Sequence, residues 1–257
     1  MKTHHYIITA VSGYLFFLLL LTPAATVISF LKLPSNSIAL SGISGSIWSG
    51  SIDQARIKQQ HIDNIFWSLN PLSLLTGSIS SELKADVYDN PVQADLDHSF
   101  FSKSTSLYNV SSALNAKDLQ KKLNLPFGEL AGKLQLNLSE LKIKPKSLPS
   151  ITGIIQWNNA QLTLADKISF GNILLTLTPD DQSNLTGKLS NTKGELIIKG
   201  QLSVSPKSIY TLNIGFKPRA NASAELVSIL KLIAPRKEKG QYVLKRSGHL
   251  RQLGIKL

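Results

Sequence analysis

Residues 6–31, YIITAVSGYLFFLLLLTPAATVISFL, run for 26 positions without a charge. Crossing the hydrocarbon core of a bilayer takes roughly 20 apolar residues in a helix. In lipid the backbone has to satisfy its own hydrogen bonds, so such a run is helical if it lies in a membrane. The expectation is a membrane-spanning helix, most apolar at residues 16–21 (FFLLLL) and kinked or divided at Pro23. Two outcomes are open at its far end: retention as an anchor, or cleavage near Ala24 or Ala25 as a secretory signal. Signal peptides have an apolar region of only about 7–15 residues. Here the apolar character continues through Val27, Ile28, Phe30 and Leu31, which favours retention. Lys2 precedes the run and Lys32 follows it. Short basic ends stay cytoplasmic, whereas long domains translocate largely regardless of charge. Residues 1–31 are therefore read as a cytoplasmic stub and transmembrane anchor of the inner membrane. Residues 32–257 are read as a periplasmic β-rich domain.

The chain has no cysteine, which excludes disulfides, a thiol nucleophile and a thiolate zinc site. A cysteine-free exported domain suits an oxidising compartment, where an exposed thiol is a liability. The formal net charge is +12. From Lys231 onward eight basic residues stand against Glu238 alone. Among these, Arg236, Lys237, Lys245, Arg246 and Arg251 are candidates for contact with an anionic surface such as acidic lipid or an acidic protein face. The competing reading is a solvated basic surface. Nucleic acid is not expected as a partner, because no nucleic-acid-binding motif is present and the chain carries an export anchor.

Beyond residue 46 the hydrophobic period is two. Ile79, Leu83, Ala85 and Val87 alternate with polar residues, although Ser81 interrupts the apolar side. Such alternation reads as a half-buried strand. Leu134, Leu136 and Leu138 alternate similarly, and the parity then slips by one to Leu141 and Ile143, as at a β-bulge. Further strands are read at Leu162 and Leu164, at Ile173 to Leu177, at Leu196 to Val204, and at Tyr210 to Phe216. Residues 205–208, SPKS, suit a hairpin loop. Two short helices are expected. One follows Asn115 and stops at Pro126; the other covers residues 222–233, capped by Asn221 or Ser223. Gly45-Ser-Ile-Trp48 and Gly153-Ile-Ile-Gln-Trp157 suggest a faint internal repeat. One-sided alternation with short turns implies an antiparallel sheet with one wet face.

The most distinctive stretch is residues 42–77, GISGSIWSGSIDQARIKQQHIDNIFWSLNPLSLLTG. Gly45, Trp48 and Gly50 form a Gly-x-Ile-Trp-x-Gly motif; Trp67 opens Trp-Ser-Leu-Asn-Pro71; Leu75 and Gly77 close it. Paired glycines let the backbone turn tightly or a neighbour approach closely. Tryptophans are large anchors for packing a sheet face. These residues either hold the fold alone or also contact a partner. The segment resembles the N-terminal signature of the type II secretion system protein N (general secretion pathway protein N) family, and the resemblance continues through most of the chain. That family in turn resembles the AsmA-like group. The resemblance implies one elongated, curved and twisted antiparallel β-sheet behind a transmembrane helix. It also implies an inner-membrane accessory of the machine that exports folded proteins across the outer membrane, with other secretion components as partners. An AsmA-like groove that binds or transfers lipid is the alternative. No catalytic residues carry over from the family.

Catalytic and metal chemistry find no foothold in the residues. None of the histidines His4, His5, His61, His98 and His249 has metal-ligand spacing. Asp95, Asp97 and His98 lack the additional oxygen ligands that calcium needs. No nucleophile elbow or phosphate loop occurs. The expectation is a protein without cofactor, metal or catalytic site.

Overall fold

The computed structural model describes residues 2–30, 38–57, 60–87, 89–123, 128–145, 147–164, 166–234, 236–238 and 240–253. The chain is mostly β and entirely antiparallel in its described pairings, with few helices. It divides into two compact units, residues 1–97 and 98–257.

The first unit begins with α1 (Lys2–Leu21) and α2 (Ala24–Phe30). Thr22 and Pro23 separate them, as expected of a proline that cannot donate into the helical ladder. The unbroken apolar helix is thus residues 6–21, or 16 residues. Among the described residues no helix is long and apolar enough to cross a membrane. Five strands follow: β1 (Ile38–Gly45), β2 (Ser49–Ile57), β3 (Gln60–Asn70), β4 (Ser78–Val87) and β5 (Asn90–Ser99). They stand side by side in chain order. Among the described residues its buried apolar side chains are Ala24, Ile52, Ala55 and Ala94, three of them alanines. Larger residues such as Trp67 and Leu69 are half-buried. Ser81, which breaks the apolar alternation of β4, points inward nonetheless and is buried.

The second unit contains β6 (Ser104–Asn115), α3 (Ala116–Leu123), β7 (Glu129–Ile143), β8 (Ser150–Thr163), β9 (Lys167–Pro179), β10 (Leu185–Thr192), β11 (Leu196–Val204), β12 (Ile209–Pro218), α4 (Ala224–Ile233), β13 (Arg236–Glu238) and β14 (Gln241–His249). Strand order follows the chain from β6 to β12, and β14 lies between β12 and β13. The parity slip after Leu138 is a bulge: Leu138 faces Gly153 and Glu140 faces Thr152, which leaves Ser139 without a partner position. Leu162 belongs to the long strand β8 rather than to a strand of its own.

This unit has the thicker core. α4 lays Leu226 and Leu230 on Ile168, Leu196 and Ile198, with Phe170, Ile214, Phe216 and Tyr242 around them. Full burial of such a side chain stabilises by roughly 1.5–3 kcal/mol. Ser223 caps α4 by accepting the Leu226 N–H at 3.1 Å. Glu195 ties the helix start to the sheet: one carboxylate oxygen accepts the Ser169 N–H at 2.9 Å, the other that of Ser223 at 3.3 Å.

The suggested repeat of Gly45–Trp48 and Gly153–Trp157 has no structural counterpart. Trp48 lies in the bend before β2, whereas Trp157 sits inside β8. The indole that behaves like Trp157 is Trp67. Trp157 Nε1 donates to the Ala131 carbonyl at 3.0 Å, and Trp67 Nε1 donates to that of Ile47 at 3.1 Å.

Candidate functional site

The seven motif residues Gly45, Trp48, Gly50, Trp67, Pro71, Leu75 and Gly77 come together at one end of the first unit's sheet. The β1–β2 hairpin closes with Gly45 paired to Gly50, and Gly50 is paired in turn to Trp67 on β3. Gly45 has φ of 81°, in the left-handed region, where a side chain is strained. A Cβ on Gly50 would lie 2.4 Å from Trp67 Cζ2 and 2.6 Å from the Ser44 carbonyl oxygen. The glycine is therefore the seat of the Trp67 ring. The Trp67 indole N–H then holds the carbonyl of Ile47, inside the hairpin turn. The turn is clamped a second time by the Leu69 N–H, which donates to the Trp48 carbonyl at 2.6 Å.

Pro71 starts the next feature, a 3-10 turn over Pro71–Thr76, at the position where a missing N–H costs nothing. Asn70 caps it by accepting the Leu72 N–H at 3.1 Å. Gly77 ends it at φ of 70° and donates its N–H to the Leu74 carbonyl. Ser73, buried inside, donates to the Asn70 carbonyl at 2.7 Å and accepts the Ser80 N–H at 3.0 Å. Thr76 donates to the Ser73 carbonyl at 2.8 Å. Polar bonds hold this turn, and its leucines are left over: Leu72 is 70% exposed, Leu74 44% and Leu75 84%.

Sequence reading missed the junction with the helices. The Ile47 N–H donates to the Thr22 carbonyl at 3.2 Å, and Pro23 forms a β-bridge with Ser46. Ala24, the first residue of α2, is 2% exposed. The break between α1 and α2 is thus built into the motif hairpin. The sequence signal was Pro23 itself, but nothing local says what a helix break will pair with.

The basic candidates are spread along the C-terminal strands. Arg236 and Lys237 lie on β13 opposite Val243 and Tyr242. Lys245 and Arg246 are exposed neighbours on β14, so they stand on opposite faces of the sheet. Arg251 is exposed in the closing turn, where its N–H donates to His249 Nδ1 at 3.3 Å. Among the described residues no group of three His, Asp or Glu side chains is placed to hold a metal ion. A shallow, open concavity over β6–β9 is lined in part by Val110, Leu138, Ile154 and Leu177.

Acidic groups with altered titration lie away from the motif. Asp180 is held below its usual 3.8 chiefly by the Asn184 side-chain amide, which donates to it at 2.7 Å. Glu225, in the first turn of α4, is raised above 4.5 by its hydrogen bond with Asp166, with desolvation and like charge adding to the effect.

The motif residues thus build a lobe in which Trp67 packs against Gly50 and three leucines of the following turn are exposed. The family model described as type II secretion system (T2SS), protein N, matches residues 36–245. The type II secretion system protein N of Aeromonas hydrophila is 25% identical, covering 93% of this chain and 95% of its own. That of Vibrio cholerae is 23% identical, covering 93% and 97%. No solved structure matches the chain. Its motif lobe and most of its length fall within that match, and the chain belongs to the type II secretion system protein N family.

Proposed function

We propose that this component of the type II secretion system is a non-enzymatic accessory held at the inner membrane by the segment α1–α2. Its β-rich remainder lies in the periplasm and contacts other secretion components as they export folded proteins across the outer membrane. One observation carries the reading. The uncharged N-terminal segment joins the family's motif lobe through backbone bonds, Thr22 to Ile47 and Pro23 to Ser46. An anchor joined this way positions the lobe as well as tethering it. The described apolar residues of α1 support the anchor: Tyr6, Ile7, Val11, Tyr14, Phe17, Leu18 and Leu21 are all more than half exposed. In water that surface would be a liability. Among the described strands β1 stands at the edge of its sheet, a position that suits β-augmentation by a partner strand.

In-frame deletion with complementation tests the proposal. The expected result is retention of a normally secreted enzyme in the periplasm with detergent resistance intact. A photo-crosslinker at exposed Ser41 on β1 should then capture other secretion components. Normal export combined with a detergent-sensitive outer membrane would overturn it in favour of lipid handling.

A further inference from the structure

We propose that the Pro71–Thr76 turn is a second membrane contact, with Leu72, Leu74 and Leu75 entering the headgroup–acyl boundary of the bilayer beside the exit of α1. The inference rests on the membrane-anchor reading and deepens it.

Length is the first argument. The apolar part of α1, residues 6–21, rises about 24 Å in a helix, whereas a hydrocarbon core is about 30 Å thick. A short helix thins the bilayer or draws its flanks toward it. Thr22 and Pro23 thus sit at or below the hydrocarbon surface, and whatever is bonded to them lies in the interface. Ile47 and Ser46 are bonded to them directly. Trp48 follows in the same bend, and tryptophan is enriched at membrane interfaces. One further backbone bond, Leu69 to Trp48, brings in the end of β3, from which the leucine turn continues.

Charge is the second argument. Residues 38–52 and 64–81 contain no Asp, Glu, Lys or Arg. Those two segments supply the hairpin and the leucine turn. Lower on the same strands, Asp53, Asp63 and Asp86 come close around one shallow hollow. The hairpin and the leucine turn are thus free of charge where they meet the anchor, and the nearest charges at that end stand on the neighbouring strands: Glu82 opposite Ser68, Lys84 opposite Phe66, and Asp97, which accepts from Ser80 at 2.7 Å.

The third argument is that folding leaves the leucines unused. Asn70, Ser73, Thr76 and Gly77 hold the turn by hydrogen bonds, and three leucines within four residues still face outward. A single exposed leucine needs no explanation, but a contiguous group on a polar-braced turn does.

The chain lacks cysteine, so one introduced cysteine is a unique labelling site. The full-length protein is reconstituted in vesicles of phosphatidylethanolamine and phosphatidylglycerol with a nitroxide at Leu75→Cys, Leu72→Cys, Phe17→Cys or Gln54→Cys. Collisions with apolar oxygen and with a polar nickel chelate are then compared. Both leucine probes should favour oxygen several-fold over the Gln54 probe, approaching the Phe17 probe. If Phe17 reads as lipid while both leucine sites read as water, the contact is wrong and the anchor stands. If all four read as water, the anchor reading fails and the contact with it. Leucine probes shielded from both agents would mean that protein, such as a second copy, covers the turn, which also overturns the proposal.

Discussion

Trp67 packs against Gly50 so closely that a Cβ on the glycine would fall 2.4 Å from Trp67 Cζ2 and 2.8 Å from Cη2, inside any ordinary van der Waals contact. The two are register partners across β2 and β3, and the same indole reaches on to bond Ile47. The spacing of the motif follows from this. The glycine must face the tryptophan, and the hairpin turn must lie within reach of its N–H. Gly50→Ala is expected to displace the ring and cost about 1–3 kcal/mol, the usual range for an overpacked site. Urea unfolding followed by tryptophan fluorescence would register both the lost stability and the changed indole environment.

Trp67→Phe separates the hydrogen bond from most of the packing. The ring stays apolar and flat, but the 3.1 Å bond to the Ile47 carbonyl is lost. A bond of this kind is worth about 0.5–1.5 kcal/mol. The loss should be local: amide exchange at residues 46–49 should quicken, while the α4 core should be unaffected. Faster exchange at α4 of the same size would show that the indole bond is not a local clamp.

The α4 core supplies a contrast within one helix. Leu230 is 1% exposed and Leu232 is 83% exposed. Leu230→Ala should cost about 2–5 kcal/mol, as cavity-forming core substitutions do. Leu232→Ala should stay within about 0.5 kcal/mol of the parent. Thermal or urea unfolding of both variants checks the difference, and equal effects would contradict the described packing.

Glu225 and Asp180 should give stability slopes of opposite sign. Glu225 has a raised folded pKa, so its contribution is present below 4.5 and is lost as pH rises through the folded value. Glu225→Gln should therefore gain on the parent between that acid range and neutrality. Asp180 has a lowered folded pKa, so its contribution is present above 3.8 and is lost as pH falls through the folded value. Asp180→Ala should lose most near neutrality and converge with the parent in acid. Asp180 is exposed and Glu225 only half-buried, so salt should shrink both effects. Unfolding midpoints across pH at two ionic strengths test the signs.

The strands were largely written in the chain. Alternating apolar residues set β4, β7, β9, β11 and β12, because a pleated strand shows alternate side chains to opposite faces. Even the bulge at Ser139 was visible as a slip in parity. Ser223 and Pro23 announced a helix cap and a helix break through local backbone chemistry. Strands β1, β2 and β6 were harder to read. Their serines, glycines and alanines carry little hydrophobic contrast, and their partners decide their state. Tertiary structure alone decided three things: that Trp67 seats on Gly50, that the helix break pairs with the Gly45–Gly50 hairpin, and that the leucines of the next turn stay outside. The first two depend on residues distant in sequence, Gly50 with Trp67 and Pro23 with Ser46, being brought side by side. Periodicity records what a segment does with its own faces, while only the folded sheet determines which distant segment meets them.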